Sequence, residues 1–409
     1  MSKTISTFIK KYIKGDKYLW ALILLLSLFS FLPVYSANAS LLTHINPHHP
    51  THPYNIYVPL FKHAIFLIIG LIILFFTHFI DHKYFYHLSI FLIPLMVFLS
   101  WMTLCQGFYR AGVPRWLQIP FTSLSFQTSN LSGLSLLIYC SRILYINRHK
   151  PITISNTFFP LLFPIFSVLS FILPANGSTS IIMFISVLCS LFLGRYPFHK
   201  LILVLFMGTM ISWIYMFVVV KCVGGENHYT IQRIYTWRHR IENFMKAQED
   251  ENSQIMQAKS AIFSGKKCGR GPGKSVFKFL LPHIVCDFIY ALIIEEYGCS
   301  MGILLILVYL LILFRILIIS TKANDYFASL LVLSVGFPIV HQAFVNIGVN
   351  IGLIPVTGQP LPLISAGGTY LWVTFFSFGI ILSVSRMIEE RDQMIEKKYK
   401  EYKNRKERF

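Results

Sequence analysis

Residues 265–298 read GKKCGRGPGKSVFKFLLPHIVCDFIYALIIEEYG: glycines and lysines run straight into an apolar segment carrying one aspartate, Asp287. A carboxylate at the mouth of a hydrophobic helix is costly to place, so an acid kept there is a functional candidate by default. The glycine-rich, lysine-bearing approach suits a phosphate-bearing partner. Taken alone, the stretch points to a membrane enzyme or carrier that handles an anionic amphiphile.

The rest of the chain agrees. Of its 409 residues 55% are hydrophobic and only 13% charged, against about 25% charged in soluble domains. Apolar stretches recur near the ~20 residues that cross a bilayer as helix, and runs such as Leu22-Ile23-Leu24-Leu25-Leu26 lack the alternation of a barrel strand. The expected fold is all-α, a polytopic membrane protein of ten helices at 18–38, 60–80, 88–105, 123–145, 156–174, 178–194, 199–220, 298–319, 327–346 and 366–386. It forms a single membrane domain over 1–409, with a large loop at 221–286 and a charged helical tail at 387–409. No cleavable signal is expected, because Tyr18–Ala37 is long enough to be the first span.

Basic residues set the orientation. Lys3, Lys10, Lys11, Lys14 and Lys17 precede the first span, while the loop from Asn38 to Val58 has no lysine or arginine. Arg142, Arg148, Lys150, Arg195, Lys200 and the tail lysines fall on the N-terminal side, which places both termini in the cytoplasm and the 221–286 loop outside. The net charge of +19 therefore serves topology and contact with membrane lipids rather than nucleic acid, since no basic stripe sits on a soluble module. The seven cysteines make no C-x-x-C pair; a bond among Cys222, Cys268 and Cys286 stays open.

Each candidate residue has a bland alternative. Asp287 could be a helix N-cap, and Glu295 and Glu296, further along the same helix, could be structural. Gly269–Ser275 invites a phosphate-loop reading, but Cys268 stands where that motif needs glycine. A basic segment approaching a diphosphate fits better, with a mobile linker as its rival. Arg115-Trp116 offers a phosphate-binding guanidinium beside what could be an interfacial anchor. Ser129 and Gly133 form a small-xxx-small pair suited to helix packing. The first loop's His44, His48, His49 and His52 lack the fixed spacing of a metal site. Residues 346–370, with their prolines and Gly367-Gly368, look like irregular backbone that closes over a cavity.

These residues resemble the SEDS family of ten-helix peptidoglycan polymerases, nearest its division-type members. Asn346 through Leu371 follows the family's N-x-G-x-x-x-G-L-x-P-x-T-G-x-P-L-P-x-x-S-x-G-G segment. Gly265–Gly298 is similar to its G-x-G-x-G-x-S-x-x-K…L-P…D-F-I-x-A-x-x-x-E-E-x-G segment. Gly112-Val-Pro-Arg115-Trp116, Phe126-Gln127-Thr-Ser129 and Arg238-His-Arg240…Phe244 add shorter matches. The chain departs where the family shows L-P-E-x-x-T-D, with His283 and Cys286 in the Glu and Thr positions. On helix four Q-P-S-E-x-x-K becomes Gln127 to Gly133, losing a carboxylate and a lysine, and S-Y-G-G-S becomes Ser365 to Thr369.

The resemblance implies a glycosyltransferase that joins lipid II at the outer face of the plasma membrane and releases undecaprenyl diphosphate. Asp287 would be its general base or would hold a divalent cation, Mg²⁺ or Mn²⁺. Arg115, Trp116, Gln127, Ser129, Lys274, Lys278, Ser365, Gly367 and Gly368 would bind substrate. The implied partners are a class B penicillin-binding protein with transpeptidase activity and other divisome membrane proteins, at the division septum. An elongation-type polymerase, a precursor flippase and a non-catalytic scaffold are the competing readings.

Overall fold

The computed structural model describes residues 14–39, 57–110, 113–118, 125–150, 159–222, 229–246, 254–280 and 284–406. The histidine-rich loop and His283 lie outside them. Helices α1 (Lys17–Phe29) and α2 (Phe31–Ala39) are followed by α3 (Tyr57–Phe79), α4 (His82–Gln106), α5 (Thr128–Ile146), α6 (Phe159–Ile172), α7 (Gly177–Leu193) and α8 (Phe198–Cys222). Next come α9 (Tyr229–Lys246), α10 (Gln254–Gly265), α11 (Ile289–Tyr297), α12 (Cys299–Lys322), α13 (Tyr326–Asn350) and α14 (Gly368–Lys406).

Among the described residues seven helices are long and apolar enough to cross a membrane: α1 with α2, α3, α4, α8, α12, α13 and α14. The other three expected spans are helices too: α6 and α7 have 14 and 17 residues, and α5 carries four buried serines. The large loop at 221–286 contains α9 and α10. A departure from an all-helical chain is a small antiparallel sheet, β1 (Phe108–Arg110), β2 (Val113–Gln118) and β3 (Ser125–Gln127), in the order β1-β2-β3. It pairs Trp116 with Gln127 and so places the Arg115-Trp116 segment beside the head of α5.

Helix starts at one end of the bundle are fixed by acids. Asp16, Asp81 and Asp325 accept from the N–H groups of Leu19 (2.9 Å), Lys83 (3.0 Å) and Phe327 (3.2 Å), as N-caps do. Asp16 also takes the guanidinium of Arg315 from α12 (Nε at 2.9 Å). Close helix approach uses glycine: a Cβ on Gly70 of α3 would lie 2.1 Å from the Phe375 ring of α14, and one on Gly379 2.6 Å from Thr77. Gly133 meets Met183 of α7 in the same way. The main core joins α11 through α14 to residues 361–364, where Leu361, Leu363 and Ile364 are fully buried. Leu363 sits at φ +63°, a left-handed conformation costly for a branched side chain that the surrounding packing must hold.

Candidate active site

Asp287 lies in a turn just before α11. The N-cap position falls one residue later, on Phe288, so Asp287 stands before the helix rather than on it. Glu295 and Glu296 lie on the helix proper and Asp287 does not, so the three do not share one helix as the sequence suggested. What fixes the turn is its main chain. The Val285 carbonyl accepts from Ala366 N–H (3.2 Å) and the Cys286 carbonyl from Ser365 Oγ (2.8 Å). The Asp287 carbonyl accepts from the amides of both Asn346 and Asn350 of α13 (3.0 Å each). Asn350 is fully buried, and its Oδ1 accepts the Ala291 N–H (3.0 Å), so one side chain ties the turn to the first turn of α11.

The half-buried Asp287 carboxylate faces the 351–367 segment. Gly358, at φ +73°, would bring a Cβ within 3.7 Å of Oδ2, so the backbone passes close to the acid. That segment is anchored on three sides. Gln359 Nε2 donates to Thr179 of α7 (2.9 Å), Gln342 Nε2 to the Pro360 carbonyl (3.1 Å) and Tyr309 Oη to the Pro362 carbonyl (2.6 Å). Burial, with the Asp287 charge beside it, pushes the Cys286 thiol up to about 12, so it stays protonated and donates to the Ala366 carbonyl (3.1 Å).

Arg240 of α9 is the residue that sequence reasoning missed. Its Nη1 donates to the Val356 carbonyl (3.0 Å), and its guanidinium is within electrostatic reach of Asp287. Burial lowers its proton affinity and the aspartate raises it. The Arg238-His-Arg240 motif was visible, but nothing in its spacing shows that α9 folds back over the turn.

The glycine-rich segment is neither a mobile linker nor an open approach. It is docked on Glu295 and Glu296, both buried. Glu295 accepts from the Ser275 hydroxyl and the Val276 N–H (2.8 Å). Glu296 accepts from the Ser36 hydroxyl of α2, and the two glutamate carbonyls take the N–H groups of Arg270 and Gly271 (2.9 Å each). Gly269, at φ +77°, permits this: a Cβ there would lie 2.2 Å from the Glu296 carbonyl oxygen. Lys278 is 6% exposed, with Nζ donating to the Gly273 carbonyl (2.7 Å) above the Phe279 ring. Lys274 is exposed and remains able to meet a phosphate.

A second group gathers at the head of α5. Arg115, Gln127 and Ser129 line one small cavity with Thr103 and Asn176. Arg115 Nε donates to the Ala175 carbonyl (3.0 Å), Gln127 Nε2 to Ser129 Oγ (3.0 Å), and Gln127 N–H to Thr369 Oγ1 (3.4 Å). That last bond sets Gly367 and Gly368 beside the group. Ser365 directs its hydroxyl at the Cys286 carbonyl and takes the Leu361 N–H (2.8 Å), so it holds the Asp287 turn.

Among the described residues no three His, Cys, Asp or Glu side chains stand close enough to hold a metal ion. One carboxylate is what Mg²⁺ takes when substrate phosphates supply the remaining ligands, so Asp287 would hold such an ion only together with substrate. Cys268 and Cys286 are free thiols, and the Cys222 side chain lies outside those described.

The chain is thus a helical bundle that holds Asp287 in a backbone-clamped turn, against an irregular segment. Residues 16–390 match the cell cycle protein family that groups FtsW, RodA and SpoVE, and the chain belongs to that family. It is 32% identical over 310 residues to a probable peptidoglycan glycosyltransferase FtsW of Francisella salina, covering 72% of this chain and 71% of that one. To the protein of the same name from Nitrosococcus halophilus it is 30% identical over 336 residues, covering 80% and 82%. The fold also matches a chain of a peptidoglycan synthase complex at TM-score 0.68 and 20% identity, covering 91% of this chain and 98% of that one. Within the family this chain is most like FtsW.

Proposed function

We propose that the protein is a peptidoglycan glycosyltransferase that polymerises lipid II at the outer face of the plasma membrane, in septal wall synthesis. The 4-hydroxyl of one lipid-linked disaccharide attacks the anomeric carbon of the growing glycan. The new C–O bond forms as the bond to the diphosphate breaks, and undecaprenyl diphosphate leaves with the electron pair. Asp287 takes the hydroxyl proton, which requires it to sit within hydrogen-bond reach of the attacking oxygen. Arg240, Arg115 and Lys274 offset charge on the leaving diphosphate, a contribution that is large where water is excluded.

The observation that carries this reading is the carboxylate itself: half-buried, beside Arg240, on a turn held by α13. Asn346 and Asn350 belong to the last turns of α13, so the acid sits near one end of the bundle. A carrier needs its site near the midplane, and this placement favours an enzyme. The 221–286 loop then faces outward and the 387–409 tail inward, and a class B penicillin-binding protein supplies transpeptidation.

Purified protein with labelled lipid II tests the reading. Asp287→Asn keeps size but loses basicity, and glycan polymer should disappear while folding is retained. Polymer at the wild-type yield from that variant would exclude Asp287 as the base.

A further inference from the structure

Far from Asp287, α5 and α7 end and α13 begins around a cavity of about 380 Å³. This falls within the roughly 300–1,000 Å³ of small-molecule sites. Its lining includes Arg148, His149, Lys150, Arg195, Tyr196 and Tyr326, and among the described residues no acidic side chain lines it. Tyr326 opens α13, and Asn346, which holds the Asp287 turn, lies twenty residues along it, or roughly 30 Å. The two places are therefore separate sites on one helix.

Basic residues at helix ends satisfy topology without any cavity, so the arrangement needs its own account. Arg148 lies over the ring of Tyr326 at 5.1 Å, and Tyr326 Oη donates to the Gly194 carbonyl (3.3 Å), which fixes the floor. Among the described residues no carboxylate pairs with Arg148, Lys150 or Arg195. Tyr196 is 4% exposed, and among the described residues its buried hydroxyl has no hydrogen-bond partner, an uncommon state for a buried polar group. Finally, α7 ends in a Schellman turn: Tyr196 N–H bonds the Leu191 carbonyl and Arg195 N–H the Phe192 carbonyl (3.0 Å each). The left-handed position of that turn, φ +57°, normally belongs to glycine, and here it holds Arg195. A strained arginine replaces the residue the backbone prefers, and its side chain lines the cavity.

We propose that this cavity binds a phosphate-bearing anion, with Arg148, Lys150 and Arg195 as its charged contacts. Its position where helices leave the apolar zone puts the anionic headgroup of a membrane lipid within reach, and a free phosphate compound shares the same chemistry. Arginine suits planar, bidentate recognition of phosphate, and Lys150 adds a point charge.

The test uses the full chain in phosphatidylcholine nanodiscs containing a minority of phosphatidylglycerol, with native mass spectrometry to count retained phosphatidylglycerol. Arg148→Gln with Arg195→Gly should reduce retention about tenfold, as expected for losing at least one charge-assisted hydrogen bond. Lys397→Gln with Lys398→Gln removes the same charge from the tail and should leave retention unchanged. Arg195→Gly alone suits the backbone, so its melting temperature should equal or exceed the wild type while retention falls. Arg195→Lys should restore much of it. Inorganic pyrophosphate is titrated in parallel. Binding to the wild type but not the double variant, with no lipid retained, makes a free phosphate the ligand; retained lipid that resists pyrophosphate makes it the headgroup. Equal losses from the tail variant, or no loss from the cavity variants in either assay, would overturn the site and leave only diffuse surface charge.

Discussion

Replacing Asn350 with alanine would test whether the main-chain grip on the Asp287 turn matters to catalysis. The wild-type side chain donates to the Asp287 carbonyl (3.0 Å) and the Asn346 carbonyl (2.8 Å), and accepts the Ala291 N–H (3.0 Å). Each neutral hydrogen bond contributes about 0.5–1.5 kcal/mol, and an orphaned buried N–H costs about 1–3 kcal/mol. Asn346 remains as a donor to Asp287, so the net loss is about 2–4 kcal/mol, felt mostly where α11 begins. The protein should fold but melt earlier. The carboxylate should wander, and since a 1 Å misplacement can cost on the order of 100-fold, kcat for lipid II polymerisation should fall between about tenfold and a hundredfold. KM should change little, because Asn350 touches no proposed substrate contact. The assay is polymerisation rate against lipid II concentration, with a thermal melt on the same preparation. A variant that melts earlier yet keeps wild-type kcat would refute the claim that this grip positions the acid.

Gly269→Ala should destabilise the docked segment by about 1–3 kcal/mol, since its Cβ would overlap the Glu296 carbonyl at a left-handed position, and limited proteolysis after Gly265 should accelerate. Lys278→Glu should impair folding by placing a carboxylate near Glu296, whereas Lys274→Glu should fold normally and raise the apparent KM for lipid II; the opposite assignment in melts and kinetics would reverse their roles. Burial raises the Glu296 pKa from its ordinary 4.5, so between that value and the native one the folded state binds more protons than the unfolded state, and stability falls as pH rises. Glu296→Gln removes that group, and melting temperatures across this range should fall less steeply with pH than in the wild type.

The membrane fold was legible because hydrocarbon imposes long apolar runs, and each expected span has a helix in its place. The exceptions have physical causes. The sheet at 108–127 rests on short strands interrupted by Pro114, with too few alternating positions to register as strand. Helices α9 and α10 are polar enough to read as loop. At the site, Asp287 could be singled out because an acid at an apolar boundary is expensive. The roles of Glu295, Glu296 and Lys278 could not, since a pattern gives residue types but not which partner a buried charge will find. Arg240 depended wholly on tertiary contact.

The three successive carbonyls of residues 285–287 carry the hydrogen bonds that hold the Asp287 turn, and a carbonyl is the same whatever side chain its residue bears. Sequence drift at these positions therefore leaves the anchorage standing. Cys286 illustrates this: it stands where the family pattern carries threonine, and its peptide oxygen receives the Ser365 hydroxyl whatever the side chain in front of it. Position 287 inherits the same freedom. The turn functions as a socket that grips the chain by its spine, so chemistry at its tip can be rewritten, by evolution or by an experimenter, without unseating the residues around it.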